Sequence, residues 1–246
     1  MIENLLQLLS KDDMDAIHQA TLKVFMDPGI LVTVPEARQV FKDGGCEVDE
    51  STQMVKIPEH VLDQALKTAP SGFVTYARDP KYNLETKSKG DVHWLNFGNG
   101  VKVCDYLGPG KYNTRGSTER DIEKIAKVVD ACDNIDFYLS AVTASDLTGD
   151  ADTNMHEVLA PMKNLTKHIT LDSVGDNVHR YFEMIKAFYG GDEEEALKKP
   201  ILSCTTCPTS PLELGYNHCK VMMECAKINM PADALSMAMA GASSPI

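Results

Sequence analysis

The chain has 246 residues, of which 43% are hydrophobic, and its 24 basic against 36 acidic residues give a formal net charge of −12. That content suffices for one large domain or two smaller ones, each with its own core. No block of Lys or Arg offers a stripe that could follow a phosphate backbone, so we expect no nucleic-acid partner. The sequence lacks a long apolar run and a basic, apolar secretory signal at its start. We therefore expect a cytoplasmic protein with no membrane partner.

Seven cysteines, an odd number in a chain without a secretory signal, favour reduced thiols over a disulfide framework. Cys204 and Cys207 have the CxxC spacing of two zinc ligands, and His218 with Cys219 or Cys225 could complete such a site. Two cysteines three residues apart in a strand point to opposite faces, however, and there is no second CxxC. We therefore predict structural thiols and no metal site.

Residues 1–70 carry three helix signals. A capping-box variant at Ser10–Asp13 opens an amphipathic helix. A second helix, Pro35 to Lys42, has proline in its first turn, and a third, Pro58 to Thr68, follows a short strand at Met54–Ile57. These signals predict a small N-terminal helical cap.

Residues 71–116 change to an alternation of apolar and polar side chains. Phe73–Tyr76, Val92–Phe97 and Val101–Cys104 have this pattern, and a Gly98–Gly100 turn joins the last two. The pattern predicts a segment of antiparallel strands and hairpins.

Residues 117–246 alternate between strand and helix signals. The predicted strands are Phe137–Val142, His168–Leu171, Ile201–Thr205 and Ala234–Met239. The predicted helices are Ile122–Cys132, Thr153–Leu165, Val178–Tyr189 and Leu212–Lys227. Such alternation indicates parallel strands with crossover helices, and about four βα units make half of an eight-stranded barrel. We predict an α/β fold of the (βα)8 TIM-barrel type, incomplete. An open doubly wound sheet is the alternative, but no glycine-rich phosphate loop follows the first strand.

Short motifs recur in a fixed order along the chain. They include Met26-Asp-Pro-Gly-Ile30, Phe97-Gly-Asn-Gly-Val-Lys-Val-Cys104, Tyr189-Gly-Gly-Asp-Glu-Glu-Glu-Ala196, Cys207-Pro-Thr-Ser-Pro-Leu212 and Ser236-Met-Ala-Met-Ala-Gly241. Each alone is a weak signal, because turn-forming residues recur by chance, but together their order and spacing are specific. In these motifs, and over its whole length, the chain resembles the trimethylamine methyltransferases of methylotrophic methanogens.

The resemblance implies a role in methanogenesis from methylamines. Members of the family move a methyl group from trimethylamine to the Co(I) of a corrinoid that a partner protein carries, so we expect no cofactor bound directly. The resemblance also implies a complete barrel and a homo-oligomer at full length, with this chain as the N-terminal half. Trimethylamine-specific members carry pyrrolysine in the continuation, so the catalytic residue is expected beyond Ile246.

Two other readings stay open at this point. Relatives without pyrrolysine demethylate quaternary amines such as glycine betaine, and the feature that separates the two groups lies in the second half. A rival from another class is an inactive fragment that at most binds the corrinoid protein, because half a barrel exposes an unpaired strand edge.

Reactive groups of parallel barrels gather at the carboxyl ends of the strands. This rule gives the positional candidates Thr143, Ser145, Asp146, Asp172, Thr206, Cys207, Thr209, Ser243 and Ser244. From these we predict substrate contacts for Asp146, Asp172, Thr206 and Ser243, because a carboxylate can hold a methylammonium ion. Trp94 joins them, since an aromatic face over an alkylammonium contributes about 0.5–2 kcal/mol. The alternatives are that each Asp caps the following helix and that Trp94 packs in the core.

Overall fold

The computed structural model describes residues 8–87, 92–147, 151–237 and 239–244. The helices in these ranges are α1 (Lys11–Met26), α2 (Pro35–Asp43), α3 (Glu59–Thr68), α4 (Glu119–Ala131), α5 (Ala151–Asn164), α6 (Val178–Phe188), α7 (Glu193–Lys198) and α8 (Tyr216–Lys227). The strands are β1 (Ile30–Val32), β2 (Glu47–Asp49), β3 (Met54–Lys56), β4 (Gly72–Thr75), β5 (Leu84–Lys87), β6 (Lys102–Gly108), β7 (Lys111–Gly116), β8 (Phe137–Leu139), β9 (His168–Asp172), β10 (Leu202–Thr206), β11 (Glu213–Leu214) and β12 (Ala232–Ala234). The chain is therefore a mixed α/β protein.

The N-terminal part contains the three predicted helices and a small sheet. The capping box at Ser10 and Asp13 forms as the sequence predicted, with both reciprocal hydrogen bonds present. Strands β1 and β2 were not predicted, so this part is less purely helical than the expected cap. Its sheet has the order β11-β1-β3-β2, and β11 pairs parallel to β1 although about 180 residues separate them along the chain. A core around Val32 and Val55 joins the sheet to its helices.

Two antiparallel hairpins follow, β4–β5 and β6–β7. The predicted hairpin between Val92–Phe97 and Val101–Cys104 is wrong. Segment 94–100 instead runs parallel to β8, with bridges between Leu95 and Phe137 and between Gly100 and Val142. The Asn96 amide explains the difference, because it accepts from the Leu139 N–H and donates to the Leu139 carbonyl. A side chain thus makes the bonds that a regular strand would make with its backbone.

The parallel sheet has the order β12-β10-β9-β8, and segment 94–100 lies beside β8. The strands of this sheet lie in chain order, as crossover helices on one side require, and only β11 between β10 and β12 leaves it to join the other sheet. Side chains from α4, α5, α6 and α8 pack on one face of it, in a core that includes Ile169, Leu171, Leu202 and Cys204. We call this the helix-covered face. The opposite face, which carries Thr170 and Ser203, is the inner face.

Some predicted boundaries in this region are wrong. The strand predicted over Phe137–Val142 ends at Leu139. The helix predicted from Leu212 begins at Tyr216, because Glu213 and Leu214 pair with β1 and Glu213 exchanges backbone hydrogen bonds with Thr209. The strand predicted over Ala234–Met239 lies earlier, at β12. It pairs with Cys204–Thr206, and its last residue, Ala234, is paired with the last residue of β10. Within the described ranges, no helix is both long and apolar enough to cross a membrane.

Candidate functional site

The last row of the inner face brings two carboxylates to the carboxyl edge, where β8, β9, β10 and β12 end. Thr205 on β10 is paired with Asp172 on β9 and with Asp233 on β12. Residues paired across neighbouring strands point to the same face, and strand spacing puts the two Asp backbones about 10 Å apart. Thr205 donates a hydrogen bond of 2.8 Å to Asp233. The row therefore presents two acidic groups beside one hydroxyl.

Asn99 extends this row from segment 94–100. Its side-chain amide donates to Asp172 Oδ2. The segment is fixed against the start and the end of β8: the Asp136 N–H donates to the Trp94 carbonyl, and the Gly100 N–H donates to the Ala141 carbonyl. The sequence folds this way locally because position 98 is glycine. A Cβ there would lie 1.8 Å from the Ser140 carbonyl oxygen, so no other residue fits.

Cys207 follows β10 at the same edge. Partial burial, with the negative charges of Asp172 and Asp233, raises the pKa of its thiol. Cys204 points instead to the helix-covered face, where it contacts Cys225. The described residues contain no cluster of three His, Cys, Asp or Glu side chains that could hold a metal ion. The two thiols of the CxxC spacing therefore lie in different surroundings, Cys204 buried in the helix-covered core and Cys207 exposed at the carboxyl edge.

A chain of hydrogen bonds crosses the inner face below this row. His168 Nδ1 lies 2.7 Å from the Tyr76 carbonyl oxygen and Nε2 lies 2.8 Å from Ser203 Oγ, which lies 2.9 Å from Thr170 Oγ1. A carbonyl only accepts, so Nδ1 carries the proton and Nε2 accepts from Ser203. Burial lowers the pKa of His168 to about 4. At neutral pH the imidazole is therefore neutral and its tautomer is fixed.

A cavity of about 500 Å³ lies between the inner face and the β4–β5 hairpin. Its apolar walls include Phe73, Leu84, Phe137, Leu139 and Leu235, and its polar walls include His168, Thr170, Ser203, Thr205 and Asp233. An apolar cavity with a few convergent polar groups is the usual form of a small-molecule site. Thr205 and Asp233 of the last row form part of its wall, whereas Asp172 does not.

Glu157 on α5 supports the loop that follows β8. Its Oε1 accepts a hydrogen bond of 2.8 Å from the Ala144 N–H. Burial raises the pKa of the Glu157 carboxyl, and the charge of Asp172 adds to the shift. Nothing in the sequence distinguishes this residue from the solvated acids of other amphipathic helices.

The predicted site residues do not all meet. Asp172 lies in the row at the carboxyl edge, whereas Asp146 accepts the Glu119 N–H at 3.0 Å and caps α4. Thr206 is buried, on the opposite side of β10 from Thr205. Trp94 is 66% exposed, so it does not pack in the core. Ser243 accepts the Met239 N–H at 2.9 Å in an exposed turn.

The sequence analysis did not identify three residues that lie in or next to this site. They are Asn99, Glu157 and Asp233. The Gly98–Gly100 motif was a usable signal for the first, because two glycines around a polar residue indicate a close backbone approach. Asp233 was missed because the last strand was placed two residues too late.

The sequence profile of the family described as Trimethylamine methyltransferase (MTTB) matches residues 2–246. A trimethylamine methyltransferase from Methanosarcina barkeri is 52% identical over 242 residues, which cover 98% of this chain and 49% of that protein. The one from Methanosarcina thermophila is 50% identical over 242 residues, covering 98% and 50%. A glycine betaine methyltransferase from Desulfitobacterium hafniense is 24% identical over 242 residues, covering 97% and 48%. The chain thus spans about half the length of the curated relatives it matches.

Proposed function

Because the chain belongs to the Trimethylamine methyltransferase (MTTB) family, we propose that it is the N-terminal half of an enzyme that demethylates trimethylamine. The methyl group passes to the Co(I) corrinoid of a partner protein. The observation that carries this proposal is the 52% identity to a protein named for trimethylamine, against 24% to one named for glycine betaine. The difference favours trimethylamine over the quaternary amine.

The proposed complete fold is an eight-stranded parallel barrel. The chain-order sheet and the helices on one of its faces support it, because half of such a barrel has this arrangement. We also propose a cytoplasmic homo-oligomer, as the family resemblance implies. Size-exclusion chromatography with light scattering on the full-length protein tests the oligomer, and a monomer at micromolar concentration would contradict it.

The carboxyl edge is the proposed amine site. When the partner is bound, its corrinoid supplies the nucleophile that attacks the methyl carbon. The residues of this chain hold and orient the amine in front of it. Asp172 faces that edge and takes the cationic nitrogen of a methylammonium ion. The pyrrolysine that the resemblance implies is expected from the second half, so Asp172 acts here as a binding group.

The test is an assay of a full-length protein. Residues 1–246 are expressed together with the continuation that their own gene encodes, in a host that also reads amber codons as pyrrolysine. We expect Co(III)-methyl formation on a corrinoid protein with trimethylamine and none with glycine betaine. The opposite preference would overturn the proposal in favour of the quaternary amine.

The same assay tests the role of Asp172. Asp172→Asn removes the charge and keeps the shape, so we expect KM for trimethylamine to rise about 10- to 100-fold, the loss of one charge-assisted contact. Asp15→Asn, an exposed residue on α1, is the matched control and should leave KM unchanged. An unchanged KM for Asp172→Asn would remove this residue from the site.

A further inference from the structure

We infer that Asn99 is a positioning residue that holds the Asp172 carboxylate toward the amine. The inference rests on the proposed function, since it concerns the way in which the amine site is built. Asn99 lies in segment 94–100, and its amide N–H donates to Asp172 Oδ2. A carboxylate has about four lone-pair positions on two oxygens, so this bond leaves Oδ1 for a second partner.

The Asp172 carboxylate accepts a hydrogen bond from a neutral amide and not from a basic side chain. In the part of the chain that the structure describes, no ion pair includes Asp172, whereas Arg115 pairs with both Asp105 and Asp121. A lysine or arginine in place of Asn99 would orient the carboxylate and cancel its charge. The neutral amide orients it and keeps the negative charge for a cationic ligand.

Segment 94–100 has the rigidity that such a role requires. The Asn96 amide is bound to both backbone groups of Leu139, and the Thr143 N–H donates to the Gly100 carbonyl. Asn99 is therefore fixed on both sides by contacts to the segment that follows Asp136. Gly98 adds a close approach to Ser140 that excludes any side chain. The position of the Asn99 side-chain amide is therefore fixed by the backbone of segment 94–100 and not by packing of the side chain itself.

Asn99 therefore has a different role from Asn96, although both are amides of one segment. Asn96 satisfies backbone groups of β8, so its loss should lower stability. Among the described residues, the Asn99 side chain forms its hydrogen bond with Asp172 at the carboxyl edge, so its loss should change amine binding and leave the fold intact. This difference provides the test.

A double-mutant cycle in the full-length protein, with trimethylamine and the corrinoid partner, measures the coupling. Asn99→Ala should raise KM about tenfold with kcat within twofold, because it weakens binding of the ground state and the transition state alike. In an Asp172→Asn background the same change should raise KM less than twofold, since there is no charge left to orient. Asn99→Ser, which keeps a short donor, should recover part of the loss. Asn113→Ala on β7 is the matched control.

Each outcome decides one point. If the unsubstituted full-length protein does not demethylate trimethylamine, the proposed function fails. If it is active but Asp172→Asn has no effect, the amine site lies elsewhere. If Asp172→Asn raises KM and the effect of Asn99→Ala is the same in both backgrounds, Asn99 does not act through Asp172. A melting temperature lowered by Asn99→Ala as much as by Asn96→Ala would mean a structural role and would also overturn the inference.

Discussion

The two faces of the parallel sheet have opposite chemistry on the same strands. On the helix-covered face Tyr138, Ile169 and Leu202 are fully buried and pack against helices. On the inner face Thr170 and Ser203 form hydrogen bonds, and a cavity lies over them. Both strands β9 and β10 alternate apolar and polar residues, whereas buried parallel strands are usually apolar throughout.

The contrast separates the face that supplies stability from the face that carries the proposed amine site. Burial of apolar side chains on the helix-covered face contributes about 1.5–3 kcal/mol for each large residue. Each hydrogen bond on the inner face replaces a hydrogen bond to water, so it adds only about 1 kcal/mol to the free energy of unfolding. These hydrogen bonds do, however, fix the orientation of the polar groups. The Tyr76 carbonyl fixes the tautomer of His168, and the unprotonated Nε2 then makes the Ser203 hydroxyl the donor in their hydrogen bond. The inner face is therefore ordered at low energetic gain, as a binding surface requires.

The sharpest test of the contrast compares two adjacent residues of β9. Ile169→Ala should lower the free energy of unfolding by about 2–5 kcal/mol, because it leaves a cavity under the helices. Thr170→Ala removes one inner-face hydroxyl and should cost about 1 kcal/mol. Urea titration of each variant, with an unchanged m-value, measures both. Equal losses would show that the two faces contribute alike.

A second test uses pH on the inner face. Burial lowers the pKa of His168 to about 4, against an ordinary value of 6.5. As pH falls below 6.5 the unfolded chain binds a proton that the folded chain does not bind until about pH 4. The contribution of His168 to the free energy of unfolding is therefore complete above pH 6.5. It falls by about 3 kcal/mol as the pH falls from 6.5 toward 4.

The variant His168→Gln isolates this contribution from the carboxylates that titrate in the same range. Glutamine keeps a polar group facing Ser203 but does not protonate. Urea midpoints at pH 7 and pH 4.5 should differ less for the variant than for the unsubstituted chain. If the variant and the unsubstituted chain lose the same stability between pH 7 and pH 4.5, the His168 imidazole is not the group that resists protonation.

The long, periodic elements of this fold were predictable from the sequence. Strands β9 and β10 and helix α6 match their predicted positions within a residue or two, because their alternation or helical period is local information. Strands β1 and β11 were not predicted. They have only two or three residues, which is too short for a period, and their pairing joins distant parts of the chain.

The site was predictable only where a rule about strand ends applies. Asp172 follows from that rule, since it closes β9 at the carboxyl edge. Asn99 does not follow from it, because its place depends on the path of a loop that runs beside β8. Asp146 also follows a strand in the sequence, but it does not lie in the row at the carboxyl edge. The loop after β8 directs its side chain to the first turn of α4.

The smallest expected effect concerns the Asp146 carboxylate. Asp146 accepts the N–H of Glu119 in the first turn of α4, which already has Thr118 as its own cap. Asp146→Ala should therefore cost about 0.5–1 kcal/mol of stability, as the loss of one helix-capping bond. KM for trimethylamine should stay unchanged in the full-length protein. A rise in KM without a loss of stability would instead place Asp146 in the proposed amine site and would mean that the loop after β8 moves when substrate binds.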